Sequence, residues 1–144
     1  MARYVTEIES RLSPADAFDY MADFANARFW DPSVSEARRE SDGPVAAGST
    51  FHIVSRFAGR DVPLLYTVIT HEPPGRVVLE ARKPGFVSRD TITIRAAGAG
   101  GSIVHYDALL ELRGARRVLD PILQRLFNRI GEHATGGLQT ALNP

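Results

Sequence analysis

Apolar and polar residues alternate over positions 3–11, with Tyr4, Thr6, Ile8 and Ser10 on one face and Val5, Glu7, Glu9 and Arg11 on the other. A period of two predicts a half-buried strand whose even positions point inward. The period then changes. Ala17, Phe18, Met21 and Phe24 or Ala25 recur at helical spacing behind Ser13, Pro14 and Asp16. Ser can accept the free N–H groups of a helix start, Pro fits the first turn, and Asp favours the positive end of the dipole. A first helix is predicted from Ser13 to about Phe24. A short helical turn follows over Asn26–Trp30 and is stopped by Asp31-Pro32, so the two helices form a V.

From Val34 to Arg113 the chain reads as six strands separated by five turns, at positions 42–44, 58–61, 73–75, 83–85 and 98–101. Alternation is clearest over 50–57, 90–95 and 104–112. Turns this short require antiparallel neighbours, because a parallel crossover needs roughly a dozen residues. After Arg113 the apolar positions fall about every four residues: Leu119, Ile122 or Leu123, Leu126 or Phe127, Ile130, Ala134, Leu138 and Leu142. This predicts one long amphipathic helix, regular from Asp120-Pro121 with an irregular lead-in from Ala115. A seven-stranded antiparallel sheet must cover its inner face, and only this helix is long enough to do so by crossing several strands. The predicted fold class is therefore α+β, one domain over 1–144, with a curved sheet gripping its C-terminal helix.

Composition narrows the function classes. The 144 residues carry 17 basic and 17 acidic side chains, so no net charge steers the surface toward nucleic acid or anionic lipid. There is no Cys, which excludes disulfides, thiolate nucleophiles and iron–sulfur clusters. Charges at Arg3, Glu7 and Glu9 interrupt any leader-like apolar run, and no stretch approaches the length of a membrane span. The expectation is a cytoplasmic protein without stable membrane insertion, a monomer or weak homodimer. No pair of the four histidines has the spacing of a metal site, so neither metal nor cofactor is expected.

Five segments carry a family likeness: Ser13–Phe18 (SPADAF), Phe24–Val34 (FANARFWDPSV), Ala47–Phe51 (AGSTF), Tyr66–Pro74 (YTVITHEPP) and Leu119–Leu123 (LDPIL). In this order and spacing the whole chain resembles the SRPBCC, or START-like helix-grip, superfamily, and within it the polyketide cyclase/dehydrase-type small proteins. The resemblance implies a cavity between sheet and long helix for a small hydrophobic ligand such as a lipid, sterol, polyketide or aromatic metabolite. It does not imply one chemistry, since members include catalysts, carriers and protein-interaction modules.

The parity set by the apolar residues gives the expected cavity walls: Tyr4, Ile8, Phe51, Ile53, Phe57, Tyr66, Val68, Leu79, Ile92, Ile94, Tyr106 and Leu110, faced by Phe127 and Ile130. Ser88 and Asp90 share the parity of Ile92, so their side chains are expected to point inward. A carboxylate half-buried among apolar groups has its pKa raised toward a range useful for acid–base work. Tyr66 and Tyr106 could then polarise a ligand carbonyl, and Trp30 could close the entrance formed by the short helices. His52, His71 and His105 fall on the opposite parity and are expected to face solvent, with His133 on the flank of the last helix.

Gly131, Gly136 and Gly137 stand inside that helix, where each costs about 1 kcal/mol relative to Ala. They are expected to trade helix stability for cavity volume or close approach of the sheet. The functional expectations are threefold: binding or carriage of a small hydrophobic or aromatic ligand, a polyketide cyclase or dehydratase using Asp90 with Tyr66 or Tyr106, or a co-chaperone-like interaction module.

Overall fold

A computed structural model describes residues 1–144. Strand β1 (Ala2–Ser10) leads into helix α1 (Pro14–Ala22), a 3-10 turn (Phe24–Asn26) and helix α2 (Ala27–Trp30). Six strands follow: β2 (Val34–Arg39), β3 (Thr50–Phe57), β4 (Arg60–Glu72), β5 (Arg76–Lys83), β6 (Phe86–Ala96) and β7 (Ser102–Leu112). A 3-10 lead-in (Gly114–Leu119) then runs into helix α3 (Asp120–Ala141). The strands form one curled antiparallel sheet in the order β1-β7-β6-β5-β4-β3-β2. The chain thus has the expected helix-grip fold.

Local chemistry explains the ends of the short helices. Ser13 Oγ accepts from Asp16 N at 3.1 Å, and Pro14 occupies the first turn where its missing N–H is not needed. The helix ends at Ala22, slightly before the predicted Phe24, because Asp23 leaves helical geometry and caps the next turn through Ala25 N. That break turns the chain so that Phe24 and Trp30 both enter the core, at 4% and 3% exposure.

The long helix faces several strands, as its length predicts, with the cavity between them. Its backbone approaches β1 and α2 most nearly. Two side-chain amides fasten it to the free edge of β1. Gln124 accepts from Arg3 N and donates to Arg3 O, both at 2.9 Å; Asn143 accepts from Arg11 N and donates to Glu9 O, again at 2.9 Å. These amides satisfy edge groups that would otherwise invite another strand. Ser10 Oγ adds a 2.6 Å bond to Leu142 O.

Two of the three glycines mark the points of closest approach. A Cβ at Gly131 would fall within the Tyr4 ring, and one at Gly137 would overlap the Trp30 carbonyl. A Cβ at Gly136 would meet nothing. The helix is therefore pinned along β1 and at α2, and it stands away from the rest of the sheet. The space left between them is the cavity.

Register shifts interrupt the alternation on two strands, between Val34 and Glu36 of β2 and within β4. A register shift between Val68 and Thr70 marks a β-bulge in β4. The extra residue returns His71 to the inner side, where its ring meets Phe18 edge-on at 5.3 Å instead of facing solvent as expected. His105 is on the outer side, 3.2 Å from Glu7.

Candidate ligand cavity

The cavity measures about 130 Å³ and is bounded by β1, β3, β4, β6, β7, α3 and the segment after α2. At 10–15 Å³ for each water-sized group, that is space for roughly ten such groups. Its outer end is framed by Arg56 and Phe57 of β3, Phe86 of β6 and Phe127 of α3, and Arg56 is the exposed member.

Of the residues expected to bind ligand, Trp30, Tyr66, Ser88, Asp90, Tyr106, Phe127 and Ile130 line this space. Phe51, Ile53, Val68, Leu79 and Ile92 do not. They are buried to 1% exposure or less in a core cluster with Phe18, Met21 and Phe24. The division between cavity wall and core has a clear cause. The sheet's inner face is shared between two covers, and parity distinguishes inside from outside without saying which cover lies above. The α1–α2 segment packs directly on one part of the sheet, while α3 leaves the other part open.

An aromatic layer separates the two regions. Phe24 meets Tyr66 at 5.0 Å and Phe51 at 6.5 Å between ring centroids, and Trp30 meets Phe24 at 6.1 Å and Tyr106 at 5.4 Å. All four contacts are edge-to-face, a favourable arrangement for aromatic quadrupoles. Trp30 therefore forms part of the inner wall where α2 touches α3, since its carbonyl abuts Gly137.

The polar lining is organised in two pairs. Asp90 lies on β6 between Leu79 of β5 and Ala108 of β7, and Tyr106 on β7 pairs with Ile92, one inward step away. That diagonal lets the Tyr106 hydroxyl donate to Asp90 Oδ2 at 2.7 Å. Tyr66 on β4 and Ser88 on β6 are separated by β5, which presents Ala81 opposite Ser88. The small Ala81 leaves room for the Tyr66 hydroxyl and Ser88 Oγ to share a 2.7 Å hydrogen bond.

Burial dominates the electrostatics. It pushes Asp90 up to about 7, against the Tyr106 hydrogen bond that favours the carboxylate, and the charges of Asp31 and Asp107 push the same way as burial. Burial also raises both Tyr66 and Tyr106 well above the phenol range, helped in each case by the neighbouring Asp90 charge.

Sequence pattern gives Asp31 only the role of stopping the helical turn, yet it lines the cavity beside Trp30. Burial raises it, opposed by hydrogen bonds from Ser33 N and Ser33 Oγ to Oδ1 at 2.9 and 2.7 Å. The available signal was its place directly after an inward Trp. Val62, Leu64, Phe86, Ala108 and Ala134 are further lining residues that the pattern missed; all are apolar positions that parity alone does not separate from core. Nowhere in the fold do three or more His, Asp or Glu side chains gather as a metal ion would require.

A curled antiparallel sheet gripping a C-terminal helix, with an apolar cavity held between them, defines a START-like protein of the helix-grip class. The chain belongs to the polyketide cyclase/dehydrase and lipid transport family, whose sequence profile matches residues 1–143. Among solved structures it is similar to a START superfamily protein from Mycobacterium smegmatis, with a TM-score of 0.80 at 13% identity over 99% of this chain and 97% of that one. A protein of Thermus thermophilus gives 0.76 at 17% identity over 98% and 95%. The major latex-like protein 151 of Panax ginseng gives 0.72 at 10% identity over 99% and 98%. Identities this low speak for the fold alone. No curated protein matches the sequence. No helix is long and apolar enough to cross a membrane.

Proposed function

We propose that this protein binds a compact hydrophobic ligand, with an aromatic ring or short acyl body, in the cavity beneath α3. The observation that carries the reading is an apolar cavity whose inner wall holds two ordered polar pairs, Asp90 with Tyr106 and Tyr66 with Ser88. Such sites use apolar walls for affinity and a few fixed polar groups for orientation. The family's description, which joins cyclase and dehydrase activity with lipid transport, accords with a ligand of this kind. Native mass spectrometry of the gently purified chain, followed by a thermal-shift screen of small aromatic ligands, short acyl chains and sterols, tests it. Ligand at a hundredfold excess over its dissociation constant should add about 2.7 kcal/mol of stability. Absence of a shift with any compact ligand would overturn the reading.

A second reading is favoured by Asp90, whose ionisation near 7 suits an acid–base group. Protonated Asp90 could deliver its proton to a leaving hydroxyl, which departs as water. The carboxylate so formed could take a proton from the adjacent carbon, leaving a double bond and regenerating the acid. Tyr66 or Tyr106 would polarise a neighbouring carbonyl. If this holds, Asp90→Asn removes turnover of a β-hydroxy carbonyl substrate while retaining its binding; equal turnover by the variant would exclude it.

A further inference from the structure

The cavity holds two carboxylates and no buried cation. Asp31 and Asp90 both line it, and neither takes part in an ion pair. Arg56 is the one basic residue in the lining, and it is exposed at the outer end. Of the basic side chains nearest in sequence, Arg89 pairs with Glu80, and Arg28 donates to the Ala37 carbonyl and lies over the Phe29 ring.

Each carboxylate also keeps one oxygen uncommitted. The hydrogen bond to Asp90 falls on Oδ2, leaving Oδ1 without a protein donor; those to Asp31 fall on Oδ1, leaving Oδ2 without one. Neither free oxygen is sealed from the cavity, since the one buried side-chain oxygen without a partner is Asp120 Oδ1.

A buried carboxylate lacking a counter-charge must take up a proton or find a cation. We infer that the cavity accepts a ligand bearing a basic amine, its ammonium lying between Asp31 and Asp90 and its apolar body against the aromatic walls. This rests on the reading of the cavity as a ligand site. Seven rings, those of Tyr4, Trp30, Phe57, Tyr66, Phe86, Tyr106 and Phe127, line the same space, and a cation gains from aromatic faces where water is excluded. A ligand carboxylate, as in a free fatty acid, would instead add a third negative group. A neutral hydroxyl could donate to one free oxygen but would leave the charge uncompensated.

The binding should depend on pH through Asp90. The groups facing it are Tyr106 of β7, Tyr66 of β4, Asp31 after α2 and Tyr4 of β1, with Arg56 of β3 at the outer end; Asp107 acts on it from β7. The cavity-facing residues of α3, Phe127, Ile130, Gly131, Ala134, Thr135 and Leu138, carry no charge. Ammonium binding displaces the proton of Asp90, so affinity for the amine should rise as the pH rises from 6 to 8.

Isothermal titration of the full chain with 2-phenylethylamine, 2-phenylethanol and 3-phenylpropionate varies the head group on one aromatic body. The amine is expected to bind at least about tenfold more tightly than the alcohol, the charge-assisted hydrogen bonds being the stronger ones, and the acid weakest of the three. Asp90→Asn and Asp31→Asn should each reduce the ratio of amine to alcohol affinity, which loss of the cavity's shape alone would not change. Equal binding of amine and alcohol, or tighter binding of the acid, overturns this inference and leaves the ligand cavity standing. If none of the three binds, this inference falls, and the thermal-shift screen of compact ligands decides the cavity reading separately. Should either variant fail to fold, the comparison on the unaltered chain decides.

Discussion

The Tyr106 hydroxyl donates to Asp90 Oδ2 at 2.7 Å across neighbouring strands, in the wall of an apolar cavity. The bond favours the charged carboxylate, whereas burial favours the neutral acid and prevails. Removing the hydroxyl should therefore move Asp90 further from ordinary carboxylate behaviour. Tyr106→Phe is expected to raise the Asp90 pKa above its value of about 7, read by the pH dependence of the carboxyl carbon signal in NMR. A downward shift would show that the hydroxyl does not serve the carboxylate.

The same residue makes stability depend on pH. In the unfolded chain Asp90 ionises at its ordinary value of 3.8, and in the folded chain at about 7. Between these values the folded state holds the extra proton, so the Asp90 contribution to stability is greatest below about 4, falls as the pH rises toward 7, and then levels, opposite in sign to that of the lowered carboxyls Glu7 and Glu80. The full difference is on the order of 4 kcal/mol. Asp31, also raised by burial, adds in the same direction. Asp90→Asn should flatten the curve over this window in urea unfolding measured at successive pH values; an unchanged slope would assign the dependence elsewhere.

What the sequence reveals of this protein follows the range of the forces involved. Strand alternation, turn residues and the Ser13 cap act within a few positions, and they place nearly every element. Ser88, Asp90 and Tyr106 were legible as inward because strand parity is local too. The bulge after Val68 is not, since it depends on how β4 meets β5, and it reversed His71. Asp31 follows a helical turn whose direction is set by Phe24 and Trp30 packing. Gln124 is matched to the backbone of Arg3 across 121 positions, with nothing local to announce it. The division of buried apolar residues into core and cavity wall depends on where α3 stops approaching the sheet, a tertiary outcome fixed by Gly131 and Gly137.

Those glycines can be separated by experiment. At Gly136 a methyl group meets nothing, so Gly136→Ala should stabilise the chain by up to about 1 kcal/mol through helix propensity alone. At Gly137 the same change collides with backbone at Trp30, which cannot swing aside as a side-chain tip can. Gly137→Ala should destabilise by roughly 1–3 kcal/mol, the ordinary cost of forcing extra volume into a packed site. Gly131→Ala falls on the Tyr4 ring and should behave similarly. Equal effects at 136 and 137 in urea unfolding would refute the account of α3 as pinned at α2.

Filling the cavity distinguishes its role from that of the core. Ala108 lies on β7 between Tyr4 of β1 and Asp90 of β6, and its side chain faces the open space. Ala108→Phe would place a ring where ligand is proposed to sit. In a packed core such an enlargement strains the neighbours, whereas in a void it adds contacts and removes empty volume. The variant is therefore expected to unfold within a few degrees of the unaltered chain, since about 1 kcal/mol corresponds to roughly 2–8 °C for domains of this size range. It should also lose the thermal shift produced by any compact ligand. Retained ligand binding would place the site outside this cavity, and a collapse in stability would show that the space above Ala108 is already occupied by well-packed side chains.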